Sequence, residues 1–159
     1  MKIASLTEAF RYVIKAKKNL FPPPKSKCVI FDKEGSDDLM EYLSKDYHIL
    51  ELWGESINMC ILMIARFMYG IRVSFCLVIV EYLKIVNPKL VITFIDNTIH
   101  FYRLKALLPN IKFISIQNGY RDDILYNQLK SFHDEGEKFE ADYIFCFGKN
   151  IAKKYNRYI

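Results

Sequence analysis

The stretch LVITFIDNTIHFYRLKALLPNIKFISIQNGYRDD, residues 90–123, decides the fold of this chain. Two apolar, β-branched runs, 90–95 and 111–116, each stop on a short polar cluster, Asp96-Asn97-Thr98 and Gln117-Asn118-Gly119. Between them, residues 99–108 carry apolar side chains at helical spacing and end at Pro109. The pattern reads as strand, helix, strand, with polar residues where the strands run out. Ligands of open parallel sheets bind beyond the carboxyl ends of the strands. The same stretch therefore predicts a fold and the location of a site.

Outward from this unit the chain continues the alternation. Apolar runs predict strands near 28–32, 47–53, 90–96, 112–117 and 143–147. Helical patterns lie after Ser36, across 56–86 with a break near Gly70, after Asp122 and from 150 to 158. Asn87-Pro88 closes the long helical stretch, because the residue before proline avoids helical geometry. Residues 121–142 are polar and acidic, which predicts a short helix and an exposed loop. Alternating strands and helices imply an α/β, Rossmann-like open parallel sheet of about five strands with helices on both faces. Right-handed crossovers and the long connection after the second strand give the order 2-1-3-4-5. Residues 25–159 form this domain. Residues 1–24 are a basic N-terminal helix, over 4–20, and a stiff connector, Phe21-Pro22-Pro23-Pro24.

A chain of 159 residues with 52% apolar and 26% charged side chains is long enough to bury one core. Its net charge of +5 is uneven. Residues 1–27 hold seven basic and one acidic side chain, whereas 28–159 hold sixteen and seventeen. A basic arm suits an anionic membrane surface, although a solvated helix face is the commoner use. No alternation of basic and aromatic residues marks a nucleic-acid module. Cys28, Cys60, Cys76 and Cys146 stand apart in apolar runs without metal or redox spacing, as buried thiols of a reducing compartment do. No signal-peptide h-region opens the chain, and Arg66 and Arg72 interrupt the apolar stretch 57–83. A cytoplasmic protein, with membrane association at the inner face as the minority reading, is expected.

The candidate site gathers Asp32 and Glu34 after the first strand, Asp96 and Asn97 after the third, and Gln117, Asn118, Gly119 and Arg121 after the fourth. Asp96 is the candidate catalytic residue, a carboxylate able to act as base or to orient a hydroxyl. With equal weight, Asp96, Asn97 or Thr98 caps the following helix. Gln117 and Asn118 offer amide donors and acceptors, Arg121 an anion clamp, and Gly119 a turn with positive φ. The alternative for this cluster is an ordinary turn. His100 reads as structural. No Walker loop, nucleophile elbow, G-x-G-x-x-G or zinc-ligand cluster is present, so no cofactor and no metal is expected.

The segments NPKLVITFIDNTIHFYRLKALLPNIKFISIQNGYRDD (87–123) and ADYIFCFGKNIAKKY (141–155) resemble the N-terminal half of bacterial surface carbohydrate biosynthesis proteins. These are similar to two-domain GT-B-type glycosyltransferases and, distantly, to the glycerophosphotransferases of teichoic acid synthesis. The resemblance implies an acceptor-side role, for a saccharide or polyol phosphate, at Asp96, Asn97, Gln117, Asn118 and Arg121. It also implies a donor-binding domain or partner chain. The relatives carry a histidine before the glycine of the strand-end motif, where this chain has Asn118. An amide takes no proton near neutral pH, so another group, Asp96, would have to be the base. The relatives continue into a donor domain, so this chain is expected to be a half-enzyme, inactive alone, with an apolar docking patch near Ile151 and Tyr155. Two other readings stand beside it: a stand-alone Rossmann-like binding or regulatory domain, and a peripheral membrane interaction protein.

Overall fold

A computed structural model of the chain describes residues 15–43, 45–51, 56–120 and 123–159. In chain order its elements are β1 (Lys17–Asn19), β2 (Cys28–Phe31), α1 (Asp37–Met40), β3 (Tyr47–Leu50), β4 (Ser56–Asn58) and α2 (Met59–Tyr69). A 3-10 turn (Gly70–Arg72) follows, then α3 (Phe75–Val86), β5 (Leu90–Thr93), α4 (Ile99–Leu107), β6 (Lys112–Ile116), α5 (Asp123–Asp134), β7 (Tyr143–Phe145) and α6 (Lys149–Tyr155). They belong to two compact units, Lys25–Leu50 with Asn87–Ile159, and Met1–Pro24 with Glu51–Val86.

The first unit is built on a five-stranded sheet in the order β3-β2-β5-β6-β7. Every pairing in it is parallel, with Cys28 opposite Tyr47 and Leu90, Leu90 opposite Lys112, and Ile114 opposite Tyr143. This is the α/β open sheet and the 2-1-3-4-5 order that the apolar runs predict. All four residues of β2 are buried, because a central parallel strand is covered on both faces. One face carries Cys28, Ile30 and Ile92, packed against Met40 and Leu43 at and just after α1. The other is aromatic: Phe101 of α4 meets Phe31 at 5.3 Å and Phe113 at 5.1 Å, edge to face. Helical segments therefore cover both faces.

The five strands end earlier than predicted, at Phe31, Leu50, Thr93, Ile116 and Phe145. The acidic loop after α5 is also less free than its composition implies. Arg103 grips Glu137 with two hydrogen bonds, of 2.5 and 2.8 Å, and Phe139 is buried. Asp142 accepts from Phe113 N at 2.7 Å and pairs with Lys105 at 2.9 Å, which fixes the entry to β7.

The second unit holds α2, α3 and a two-stranded parallel sheet, β1 with β4. Asn58 caps α2, its Oδ1 accepting from Ile61 N at 3.1 Å. Gly70, at φ +59°, ends that helix, which is the break expected there. Buried Glu81 of α3 accepts from Tyr69 Oη and Lys84 Nζ, each at 2.7 Å. The expected helix over 4–20 needs correction at its end: Lys17–Asn19 is a strand, because pairing with Ser56–Asn58 outweighs a weak local helical preference. Residues 1–14 lie outside the described residues. Among the described residues no helix is long and apolar enough to cross a membrane.

Candidate functional site

Three strand ends of the sheet unit come together at one place. A Cβ placed on Gly35, in the turn after β2, would lie 3.5 Å from Phe94 Cβ, just past β5, and 3.8 Å from Asn118 Nδ2, just past β6. Gly35 has φ +70°, so the turn itself favours glycine there. This is the switch point, between β2 and β5, where a ligand of an open sheet is expected.

The candidate residues divide into two sets. Asp32, Asp96 and Gln117 are buried, whereas Glu34, Asn97 and Asn118 are exposed and Gly119 is half-buried. Asp32 holds φ +82°, a conformation that aspartate tolerates better than most residues. Its N–H donates to Leu50 O at 3.2 Å, and its Oδ1 accepts from Glu34 N at 3.2 Å, which shapes the turn that carries Glu34 and Gly35. Gln117 joins two strand ends: its Nε2 donates to Gly119 O, and its Oε1 accepts from Phe147 N, both at 2.8 Å. Among the described residues the positive φ angles fall at Asp32, Gly35, Gly70, Asn87, Gly136 and Gly148, not at Gly119. Arg121 lies outside the described residues.

Asp96 has no exposed surface. Its Oδ2 accepts from Tyr155 Oη at 2.5 Å, and its backbone oxygen from Tyr102 Oη at 2.6 Å. Tyr102 Oη also lies 3.2 Å from Ser115 Oγ. Burial first, then the neighbouring Tyr102 and the bond to Asp96, push the Tyr155 hydroxyl far above the ordinary tyrosine range. Its proton therefore stays on the phenol at neutral pH. The N-cap position of α4 falls to Thr98, without a side-chain cap bond, so Asp96 is not the cap. A base for an external ligand needs contact with it, and a fully buried carboxylate held by Tyr155 is placed instead to position the turn after β5. His100 is half-buried, and burial, then Arg103, lowers its pKa, which keeps the imidazole neutral. Of the two residues expected in an apolar docking patch, Tyr155 is buried and Ile151 is half-buried.

Residues outside the predicted set complete the edge. Thr93 Oγ1 donates to Phe31 O at 3.0 Å and accepts from Ile95 N at 3.0 Å, tying β5 to β2 where the strands part. Thr93 and Ser115 are lone hydroxyls inside apolar strand runs, and that is the signal the sequence offered for them. No group of acidic, histidine or cysteine side chains among the described residues is arranged to hold a metal ion. No family model, curated protein or solved structure matches the chain.

Proposed function

We propose that the carboxyl edge of the sheet binds a hydroxyl-rich ligand, a saccharide or polyol phosphate. In this reading the chain is the acceptor-side domain of a glycosyltransferase-like protein of bacterial surface polysaccharide synthesis, and it binds without turnover on its own. The observation that carries the reading is the meeting of the turns after β2, β5 and β6 at Gly35, Phe94 and Asn118. Exposed amides at Asn97 and Asn118 and the Glu34 carboxylate offer both donors and acceptors to hydroxyls at that edge. The burial of Asp96 favours binding over proton transfer, and this also supports the second reading, a stand-alone binding or regulatory domain.

Amide NMR titration with glycerol phosphate and a panel of sugars tests the site. Shifts confined to residues near 34–35, 97 and 118, lost in Asn118→Ala, are expected. Silence across the panel would refute the hydroxyl-rich ligand. A parallel assay with nucleotide-activated sugars and CDP-glycerol is expected to show no transfer or hydrolysis. Turnover well above background would end the half-enzyme reading. Shifts with a free nucleotide alone would favour the regulatory one.

A further inference from the structure

Helices α2 and α3 and the turn between them leave Met63, Phe67, Met68, Ile71 and Phe75 exposed, Phe67 at 89% and Ile71 at 91%. Only Ile61 and Ala65 of α2 are buried, so the rest of an almost wholly apolar helix meets solvent. Large side chains clustered this way mark an interaction surface rather than ordinary scattered exposure.

The charge pattern identifies the partner. From Met59 to Val80 the charged residues are Arg66 and Arg72, and no acid occurs. Exposed Arg66 lines a shallow groove with Leu62, Met63 and Phe67, so a charged residue borders an otherwise apolar groove. The next acid, Glu81, is buried and bound by Tyr69 and Lys84, and it does not offset the arginines at the surface. A second basic and apolar segment belongs to the same unit. Lys17, Lys18, Leu20 and Phe21 are exposed, and Phe21 O accepts from the α2-capping residue, Asn58 Nδ2, at 2.8 Å.

We propose that this face docks on an anionic lipid surface. Apolar side chains interleaved with arginines suit the headgroup boundary, where Phe, Met and Ile enter the acyl edge and the guanidinium groups stay with the phosphates. At 11 and 12 residues, α2 and α3 are too short to span, so they lie in the interface. A second copy of the chain fits worse, because it would set Arg66 and Arg72 against their own counterparts, and the described segment from Met59 to Val80 that carries them has no acid to pair them.

Co-sedimentation of the whole chain with phosphatidylcholine vesicles, with and without phosphatidylglycerol, tests the proposal. Binding is expected only with phosphatidylglycerol, and it weakens as salt rises. Arg66→Gln with Arg72→Gln should lower the partition coefficient on the order of 25-fold, about fivefold per arginine. Phe67→Gln with Ile71→Gln should lower it at least roughly tenfold. All four side chains are exposed, so both double variants keep the wild-type circular dichroism spectrum. Wild-type affinity in either double variant overturns the proposal. So does equal binding to neutral vesicles, or a dimer in sedimentation equilibrium that Phe67→Gln with Ile71→Gln dissolves.

Discussion

Tyr155→Phe isolates one hydrogen bond, since the ring stays and the hydroxyl alone is lost. Tyr155 is 1% exposed and Asp96 has no exposed surface, so water cannot replace the bond in the folded state. Hydrogen bonds to charged groups contribute about 1.5–3 kcal/mol, and a buried carboxylate left short of a donor stands at the upper end. For a chain of this length that corresponds to a fall in Tm of roughly 4–10 °C. The alkaline limb gives an independent check. The folded-state pKa of Tyr155 is raised above its ordinary value of 10.0, so the contribution is complete below pH 10 and is lost as pH rises towards the folded value. Each pH unit in that window should cost about 1.4 kcal/mol more in the wild type than in Tyr155→Phe. Urea unfolding followed by tyrosine fluorescence and near-ultraviolet dichroism at several pH values measures both quantities. If Tyr155→Phe lies within about 0.5 kcal/mol of wild type and the two alkaline slopes coincide, the bond does not hold the turn after β5, and the positioning role of Asp96 fails.

Gln117→Leu removes the bridge between Gly119 O and Phe147 N and should cost roughly 1–3 kcal/mol, with faster hydrogen exchange at the Phe147 amide; unchanged exchange there would contradict it. Gly35→Ala has room for its methyl but keeps φ +70°, so about 1 kcal/mol of backbone strain is expected by denaturant titration, with ligand-edge shifts at Asn118. Burial acts to raise the Asp142 pKa, but the Phe113 N–H bond and Lys105 outweigh it and hold the carboxyl below its ordinary 3.8. Its contribution is therefore present above about pH 4 and lost as pH falls through the lower folded value. Asp142→Asn should flatten the acid limb of an unfolding-versus-pH curve, and an unaltered limb would exclude the pairing with Lys105.

The five sheet strands were legible because parallel strands covered on both faces read as nearly continuous apolar runs, and each run here stopped at a polar turn. The short strands β1 and β4 were not. Lys17-Lys18-Asn19 and Ser56-Ile57-Asn58 have no strand signature, and they are strands only because each pairs with the other. The site was legible as a place but not as a set of orientations. Strand ends fix where Asp32, Asp96 and Gln117 stand along the chain, while packing decides that they turn inward. The hydroxyl that donates to Asp96 belongs to Tyr155, 59 positions away, and nothing local to either residue announces the pair. The exposure of the apolar face of α2 was not legible in the sequence, because mean hydropathy does not tell a covered surface from an uncovered one.

Burial also divides the chemistry of the sheet edge. A group that exchanges a proton with a ligand must reach it, and a group that shapes the pocket need not. Asp32, Asp96 and Gln117 direct side-chain hydrogen bonds to Glu34 N, Tyr155 Oη, Gly119 O and Phe147 N, all within the protein. Asp32 shapes the turn after β2, Asp96 ties the turn after β5 to α6, and Gln117 ties the end of β6 to that of β7. The exposed set is Glu34, Asn97 and Asn118, and of these only Glu34 is ionisable. Two amides and one carboxylate suit recognition of hydroxyls better than proton transfer, which is what the proposed reading requires. In the proposed reading the described residues of this edge serve recognition of hydroxyls, and the acid–base chemistry of a group transfer would come from elsewhere.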